Sequence, residues 1–420
     1  MPFPLPSGAM LRLGGAIALY VVLSSAAFHA GAAPTDPSPT RALWVTRTTL
    51  NSREAIQQMV QSADAGGFNT LMVQVRGRGD AYYNSTLEPR AAEIAARPGF
   101  DPLATTLELA HAAGLRVHAW VNVNLISSAA SLPAAREHLI YRSPEWLMVP
   151  KELAAQMRTV DVRSPAYLGQ LARWTRAHAG EIEGLYSSPL IPASADHTLA
   201  VIAEIARNYA IDGVHLDYAR YPSDAFDYSP AAIEQFKLSI LPGLTAKERQ
   251  EAGAREAIDP LAYPNLYGDQ WGDFRRARLT ALMMRVRTAV RSARPGLVFS
   301  AAVTPDAQQA FQTRLQDWRT WLDESILDVL CPMAYTTDAE VFQQQIAAAK
   351  GYAGDRPVWA GIGAFRLSTE QTVHNVAMAL RLGASGVILF SYDALTAPPN
   401  TVGSITELGR AAFGAGPESE

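Results

Sequence analysis

The sequence of 420 residues contains one cysteine, Cys331. A disulfide within the chain needs two cysteines and a thiolate metal site needs several, so both are excluded. A surplus of one charge is also lacking, because 36 lysines and arginines face 40 aspartates and glutamates, for a formal charge of −4. No dense basic stripe is present, so we expect no nucleic-acid partner. With 48% hydrophobic residues, the chain has the composition of a folded protein with a large core.

Long apolar runs are rare, and the one that stands out lies at the N-terminus, at residues 13–28. Arg12 precedes it, residues 1–33 contain no acidic residue, and small residues follow the run. This layout is typical of a secretory signal peptide, which we assign to residues 1–33 with cleavage near Ala32 or Ala33. The alternative is an uncleaved N-terminal anchor. We therefore expect an exported protein, periplasmic or extracellular, with a short linker at residues 34–40.

The remaining chain alternates between strand-like and helix-like segments. Short apolar runs occur at residues 42–46, 68–75, 115–121, 213–217, 297–303, 327–331, 357–361 and 386–391. Helix-like stretches occur near residues 53–65, 102–113, 165–179, 196–210, 273–294, 312–323, 339–350, 369–382 and 403–413. Near-continuous apolar strands that alternate with helices indicate a parallel sheet. Eight such units predict a single α/β domain, a (β/α)8 TIM barrel at residues 41–415.

An open doubly wound sheet is the alternative architecture, but the glycine-rich nucleotide motifs typical of such sheets are absent from the sequence. Three of the predicted connections that follow strands are long, at residues 76–101, 122–163 and 218–273. In a TIM barrel these connections lie on the C-terminal face, where such folds carry their chemistry. The functional residues are therefore expected on that face.

Side chains at the predicted strand ends are acidic groups, amides, aromatics and a few arginines. Aromatic rings stack on the apolar faces of sugars, and amides and carboxylates bind hydroxyl groups, so this set points to a carbohydrate. Hydrolysis of a glycosidic bond needs two carboxyl groups that flank the bond. The catalytic candidates are Asp217, Asp306 and Asp80. The substrate-binding candidates are Arg76, Tyr82, Trp120, Asn122, Asn124, His215, Arg220, Tyr221, Tyr335, Tyr392 and Asp393.

The sharpest local pattern runs from residue 211 to residue 222 and contains His215 and Asp217. Two residues apart on a strand, these side chains face the same side of the sheet. Asp217 then serves as nucleophile or general acid/base; the alternative is a structural role, in a salt bridge with Arg220 or as a helix cap. His215 and Asp217 as a metal pair is a further alternative. Asp393 contacts substrate or caps the turn that follows it.

Four stretches of the sequence, at residues 41–46, 68–83, 101–122 and 209–222, resemble the bacterial glycosyl-hydrolase-like family 10 group. The resemblance implies a (β/α)8 barrel that acts on glycosidic bonds of envelope or extracellular polysaccharides. It makes Asp217 the leading catalytic carboxylate and Asp80 a candidate for substrate binding or acid/base help. The sequence departs from many relatives at Asp217-Tyr218-Ala219, where they carry Asp-Asp-Tyr, and at Pro332-Met333-Ala334-Tyr335, where they carry Pro-Gln-x-Tyr.

Three functions remain open from the sequence. The first is an exported glycoside hydrolase that cleaves a bacterial envelope or extracellular polysaccharide by a carboxylate acid/base mechanism, with peptidoglycan glycan strands of the cell wall as the leading substrate. The second is a carbohydrate-binding barrel with weak or absent catalysis. The third is a metal-assisted hydrolase or deacetylase that uses His215 and Asp217. For the first we expect a polysaccharide or oligosaccharide as partner, and no cofactor, resident metal or obligatory protein partner.

Overall fold

A computed structural model describes residues 38–414 of the protein. The predicted signal peptide and residues 34–37 of the predicted linker lie outside this range. Across residues 38–414, no helix combines the length and hydropathy needed to cross a bilayer.

The described residues form a closed barrel of parallel strands in which each strand pairs with the next along the chain and β8 pairs with β1. This confirms the predicted TIM barrel. The strands are β1 (Thr40–Val45), β2 (Thr70–Arg76), β3 (Arg116–Asn122), β4 (Gly213–Asp217), β5 (Val298–Val303), β6 (Val329–Ala334), β7 (Trp359–Ile362) and β8 (Gly386–Leu389).

Helices surround the barrel and extend the connections on its C-terminal face. They are α1 (Arg53–Ala65), α2 (Pro102–Ala112), α3 (Leu139–Arg142), α4 (Ala154–Met157), α5 (Pro165–Ala177), α6 (Pro192–Asn208), α7 (Pro230–Ile240), α8 (Ala246–Glu256), α9 (Ala262–Leu266), α10 (Gly268–Ala293), α11 (Ala307–Gln312), α12 (Trp318–Asp323), α13 (Ala339–Ala353), α14 (Thr369–Arg381), α15 (Tyr392–Thr396) and α16 (Val402–Phe413). Short 3-10 turns lie at Arg47–Asn51, Ala92–Ile94, Pro144–Trp146, Lys151–Leu153, Leu241–Gly243 and Ala364–Arg366.

The helix boundaries follow from local sequence. Ser52 begins α1 because its hydroxyl accepts the N–H of Ala55, and Asp101 begins α2 by accepting the N–H of Ala104. After α1 and α2, the chain turns into the next strand through Gly67 and Gly114, whose φ angles are +74° and +73°. Residues that carry a side chain rarely adopt this backbone conformation, so glycine is favoured at both turns.

The barrel has two apolar layers because side chains alternate along each strand. On β1, Ala42 and Trp44 belong to the cluster inside the barrel, which also contains side chains from five other strands. Leu43 and Val45 of the same strand belong to the larger cluster that the surrounding helices share. Inward Trp44 thereby reaches the C-terminal end of the barrel.

The connection after β4 differs from the sequence-based expectation. Residues 218–273 were expected as a loop, but they contain α7, α8, α9 and the beginning of α10. The hydrophobic face of α7 is short, with Ile233 and Phe236 buried, and α8 buries Ala252 alone. Such sparse apolar spacing carries a weak helical signal, and tertiary packing supplies the rest.

Candidate active site at the mouth of the barrel

The C-terminal ends of the strands surround a cavity of about 690 Å³. Its lining combines carboxylates, arginines, amides and aromatic rings. The main polar and aromatic members are Trp44, Arg47, Gln74, Arg78, Trp120, Asn122, Glu183, Asp217, Tyr218, Arg220, Gln309, Arg314, Tyr335, Arg366 and Phe390.

Asp217 is the last residue of β4 and pairs in register with Asn122 of β3. Its side chain is buried, and burial raises the pKa of the carboxyl from 3.8 to about 6. The Arg220 charge and the Tyr218 N–H act in the opposite direction but do not outweigh burial. Asp217 therefore holds its proton in mildly acidic solution, which is the state that a general acid needs.

The backbone after Asp217 is strained. Tyr218 has φ at +51°, in the left-handed region that non-glycine residues seldom occupy. This turn directs the Tyr218 N–H to Oδ1 of Asp217 at 2.6 Å. Strain of this kind, about 1–3 kcal/mol, persists where the surrounding structure enforces it and clusters at functional sites. Here it fixes the orientation of the buried carboxyl.

Glu183 supplies a second carboxylate to the cavity, and it was not among the residues predicted from the sequence. Its Oε1 accepts a hydrogen bond from Arg220 Nη2 at 3.3 Å, and its Oε2 accepts one from the Tyr186 hydroxyl at 2.6 Å. Its negative charge also acts to raise the pKa of Asp217. The two acids of the cavity are therefore electrostatically coupled, with Arg220 beside both.

The segment that carries Glu183 lies along the chain that leaves β3. The N–H of Ala129 donates to the Glu183 carbonyl at 2.9 Å. Gly184 allows this approach, since a Cβ there would lie 1.6 Å from the carbonyl oxygen of Ser127. A glycine beside an acidic residue was the available signal in the sequence, but it is too common to identify a site.

Amide side chains connect the floor of the cavity. The Trp120 indole donates to Oδ1 of Asn122 at 2.9 Å, and the Asn122 amide donates to the Gly77 carbonyl at 2.8 Å. Gln74 donates to the same Asn122 oxygen at 3.4 Å and accepts from Arg47 at 3.1 Å. These bonds hold Trp120 and Asn122 beside Asp217.

Aromatic rings also line the cavity. The Tyr335 ring lies 5.5 Å from the Phe390 ring and 6.2 Å from the Trp44 ring, measured between centroids. Phe365 extends this group outward, 6.1 Å from Tyr335, and is exposed. Such a surface presents the flat apolar faces on which sugar rings stack.

Five of the predicted site residues line the cavity: Asp217, Trp120, Asn122, Arg220 and Tyr335. The other nine do not. Of the acidic residues, Asp306 is exposed and caps α11 through the N–H of Gln309 at 2.7 Å. Asp80 accepts the N–H of Arg78 at 3.0 Å, and burial raises its pKa.

The Asp393 carboxylate forms hydrogen bonds with the connection that follows β1. Its two oxygens accept hydrogen bonds from the Thr46 N–H at 2.7 Å, the Thr48 hydroxyl at 2.8 Å and the Thr49 hydroxyl at 2.6 Å. The expectation that Asp393 contacts substrate or caps a turn omitted this role. Its contacts join the chain after β8 to the chain after β1.

Several predicted binding residues are buried behind the lining. Arg76 pairs with buried Glu88 at 2.5 Å, and the Tyr82 hydroxyl donates to Glu93 at 2.9 Å. The remaining three are buried: the Asn124 amide donates to the Arg220 carbonyl at 3.1 Å, the Tyr221 hydroxyl donates to the Arg275 carbonyl at 3.3 Å, and Tyr392 is 5% exposed. Of these five, Arg76 ends β2 and the others follow the ends of their strands, and none of the five lines the cavity.

His215 is fully buried inside the barrel, and both of its ring nitrogens have partners. Nε2 accepts the Trp44 indole N–H at 3.1 Å, so Nδ1 carries the proton toward Ser300 at 2.9 Å. Burial lowers the pKa of His215 to about 3. Its ring therefore orients Trp44 and has no free nitrogen for a metal. Over residues 38–414, no three His, Cys, Asp or Glu side chains are grouped to hold a metal ion.

Comparison with known proteins gives consistent matches. The model of the family described as glycosyl hydrolase-like 10 matches residues 39–358. Glycosyl hydrolase YngK of Bacillus subtilis is 23% identical over 316 residues, covering 70% of this chain and 51% of that protein. Glycosyl hydrolase DigH of Escherichia coli is 24% identical over 321 residues, covering 71% and 62%. The match thus spans about half to three fifths of these relatives.

Among solved structures, the glycoside hydrolase domain of PgaB (BpsB) from Bordetella bronchiseptica is similar in fold. The TM-score is 0.60 at 16% identity, and the alignment covers 88% of this chain and 98% of that domain. A β-galactosidase from Rahnella sp. R3 also has a TM-score of 0.60, at 13% identity, and covers 91% of this chain and 57% of that enzyme. At these identities the likeness concerns the barrel alone.

Proposed function

This chain belongs to the glycosyl hydrolase-like 10 family, and from that premise we propose that it hydrolyses glycosidic bonds of a polysaccharide, with Asp217 as general acid. The observation that carries the proposal is the buried Asp217 carboxyl, with its pKa raised to about 6, at the end of β4 in an aromatic-lined cavity. A protonated carboxyl in such surroundings can give its proton to a leaving sugar oxygen.

The chemistry requires a second carboxylate, for which we propose Glu183. As the bond between the anomeric carbon and the glycosidic oxygen breaks, the proton of Asp217 moves to that oxygen. The oxocarbenium-like carbon then bonds either to the Glu183 carboxylate or directly to a water that Glu183 deprotonates. In the covalent case a water deprotonated by Asp217 then displaces Glu183 and releases the sugar. Carboxyl groups about 5–5.5 Å apart favour the covalent route with retention, and about 6.5–9.5 Å favours the water route with inversion.

For the substrate, we propose a bacterial envelope polysaccharide, with peptidoglycan glycan strands as the leading candidate. The support is the family resemblance together with the signal-like layout of residues 1–33. The same layout supports export to the periplasm or beyond. Expression with residues 1–33 intact and N-terminal sequencing of the exported protein test this part, since a first residue of Ala33 or Pro34 is expected.

The experiment that tests the activity compares the purified protein with Asp217→Asn. Both are incubated with peptidoglycan sacculi, peptide-free glycan strands and an exopolysaccharide, and the fragments are followed by mass spectrometry. Asp306→Asn is the matched control, because it removes an exposed carboxylate outside the cavity. Cleavage by the parent and by Asp306→Asn, but not by folded Asp217→Asn, is expected.

Two other outcomes contradict parts of the proposal. Equal cleavage by Asp217→Asn moves the proton donor to a different carboxylate. Retention of a glycan on the protein without cleavage by any variant makes the chain a carbohydrate-binding barrel. Glu183→Gln is measured in parallel, and unchanged cleavage by it removes Glu183 from the mechanism.

A further inference from the structure

The cavity lining has an excess of positive charge. Five arginines face two carboxylates, those of Asp217 and Glu183, and the arginines are Arg47, Arg78, Arg220, Arg314 and Arg366. Of these five, Arg220 alone has an ion-pair partner in the part of the chain that the structure describes, Glu183 at 3.3 Å. The general acid mechanism uses one protonated carboxyl and one carboxylate, and it does not account for the other four guanidinium groups, which lack an ion-pair contact among residues 38–414.

Arg47 and Arg78 are neighbours at the ends of two paired strands, β1 and β2. Burial lowers the pKa of Arg78, and the positive charge of Arg47 lowers it further. Asp80 and Glu93 attract Arg78, but their effect on its pKa is smaller than these two. The two guanidinium groups therefore repel each other at the rim of the cavity. The Asp80 carboxylate attracts both, but within residues 38–414 it forms an ion pair with neither.

The placement of this pair is built into the backbone. A Cβ on Gly77 would lie 2.7 Å from Cδ of Arg47, so the glycine leaves the room that the Arg47 side chain occupies. The Nη1 group of Arg47 donates a hydrogen bond to Oε1 of Gln74 at 3.1 Å. Between residues 38 and 414, the guanidinium of Arg78 has neither a hydrogen-bond acceptor nor an ion-pair partner. Most donors of the pair are therefore free for a ligand.

Arg220 provides a further unused donor. The residue is 8% exposed, and its Nε is buried without a hydrogen-bond partner, while its guanidinium lies 4.3 Å from the centre of the Tyr218 ring. A buried charged donor without an acceptor is costly, and the Tyr218 ring beside the guanidinium offsets part of this cost.

We propose that the polysaccharide that enters this cavity is acidic, and that Arg47 and Arg78 bind a carboxylate carried by one of its sugars. The inference rests on the proposed function, because it names the substrate class of the same site. The two oxygens of a carboxylate match the paired N–H donors of a guanidinium group and accept hydrogen bonds from them. The negative charge also relieves the repulsion between Arg47 and Arg78. A sugar that carries an amine is repelled by the same pair.

The test compares two carboxylated glycans with their neutral derivatives. Peptide-free peptidoglycan strands carry the carboxylate on a lactyl ether, and polygalacturonate carries it on the sugar ring. Each is used before and after carbodiimide amidation. Reducing ends report kcat/KM, and calorimetry with Asp217→Asn reports binding without turnover. The variants are Arg78→Gln, the charge-retaining Arg78→Lys and, as control, Arg173→Gln on the exposed face of α5.

The parent protein is expected to prefer at least one carboxylated glycan over its amidated form by about 10-fold or more in kcat/KM and in binding, the value of a charge-assisted hydrogen bond. Which glycan shows this preference identifies the source of the carboxylate. Arg78→Gln is expected to lose most of the preference through KM. Arg78→Lys is expected to keep part of it, because it retains the charge but not the planar donors, and Arg173→Gln to match the parent. The preference should also weaken as ionic strength rises.

The outcomes separate this inference from the proposed function. Cleavage of both glycans without any preference for the carboxylated form overturns the inference and leaves the hydrolase intact. An equal preference in folded Arg78→Gln overturns the role of the pair. The absence of cleavage, with binding to Asp217→Asn and the parent still selective for a carboxylated glycan, overturns the hydrolase and keeps the acidic ligand.

Discussion

Replacing Asp217 with asparagine should stabilise the protein in a pH-dependent way while it removes activity. Burial raises the pKa of this carboxyl from 3.8 to about 6, so the folded state holds the proton more tightly than the unfolded state does. The protonated carboxyl makes its full contribution to the free energy of unfolding below pH 4. This contribution is lost as the pH rises through 6, and it stays lost at higher pH. The rise in pKa from 3.8 to about 6 corresponds to about 3 kcal/mol in the free energy of unfolding.

The asparagine variant does not titrate, so the difference in unfolding free energy between variant and parent should grow by about 3 kcal/mol between pH 4 and pH 8. Urea unfolding followed by tryptophan fluorescence at both pH values measures this difference. The asparagine oxygen can still accept the Tyr218 N–H, which keeps the local geometry. Asp306→Asn serves as the control for an exposed carboxylate. A difference that stays constant with pH refutes the reasoning that burial controls this carboxyl.

Three further predictions concern the site and the barrel. With Asp217 as general acid, kcat/KM should fall about 10-fold between pH 5 and pH 7, and a pH–rate profile without this decrease contradicts the assignment. Glu88→Gln should destabilise the fold by about 3–5 kcal/mol, because it leaves the buried Arg76 charge unpaired; urea unfolding reports this value. Gly213→Ala should cost about 1–3 kcal/mol in the same assay, since its Cβ would lie 2.5 Å from Nδ1 of buried His118.

The barrel could be predicted because each strand carries its own signal. The run predicted at residues 213–217 coincides with β4, and the run at residues 386–391 contains β8 (Gly386–Leu389). A near-continuous apolar run indicates such a strand from the sequence alone, because both faces of a strand in a parallel sheet are buried. The turns were readable for a similar reason, since Gly67 and Gly114 occupy conformations that other residues avoid.

The site was predicted in part. Site residues on strands or just past their ends could be predicted, whereas those farther along the connections between strands could not. Asp217, Trp120 and Asn122 lie on strands, whose residue order alone determines which side chains face the mouth. Glu183 reaches the cavity from a connection whose path depends on pairing with the chain after β3, a contact without periodic signal. Asp306 was expected as a carboxylate of the mouth, but the helix that it caps keeps it outside the cavity.

The two acids of the site have different mechanical supports, and this has a consequence for protein engineering. Asp217 ends a strand that is hydrogen-bonded on both sides, whereas Glu183 lies in the excursion between β3 and β4, held by Ala129 and by the close approach at Gly184. The spacing of the two carboxyl groups is therefore a property of the excursion. In the proposed mechanism, shortening or re-anchoring residues 127–184 would change the carboxyl separation that decides between retention and inversion of the sugar product, while the barrel remains unaltered.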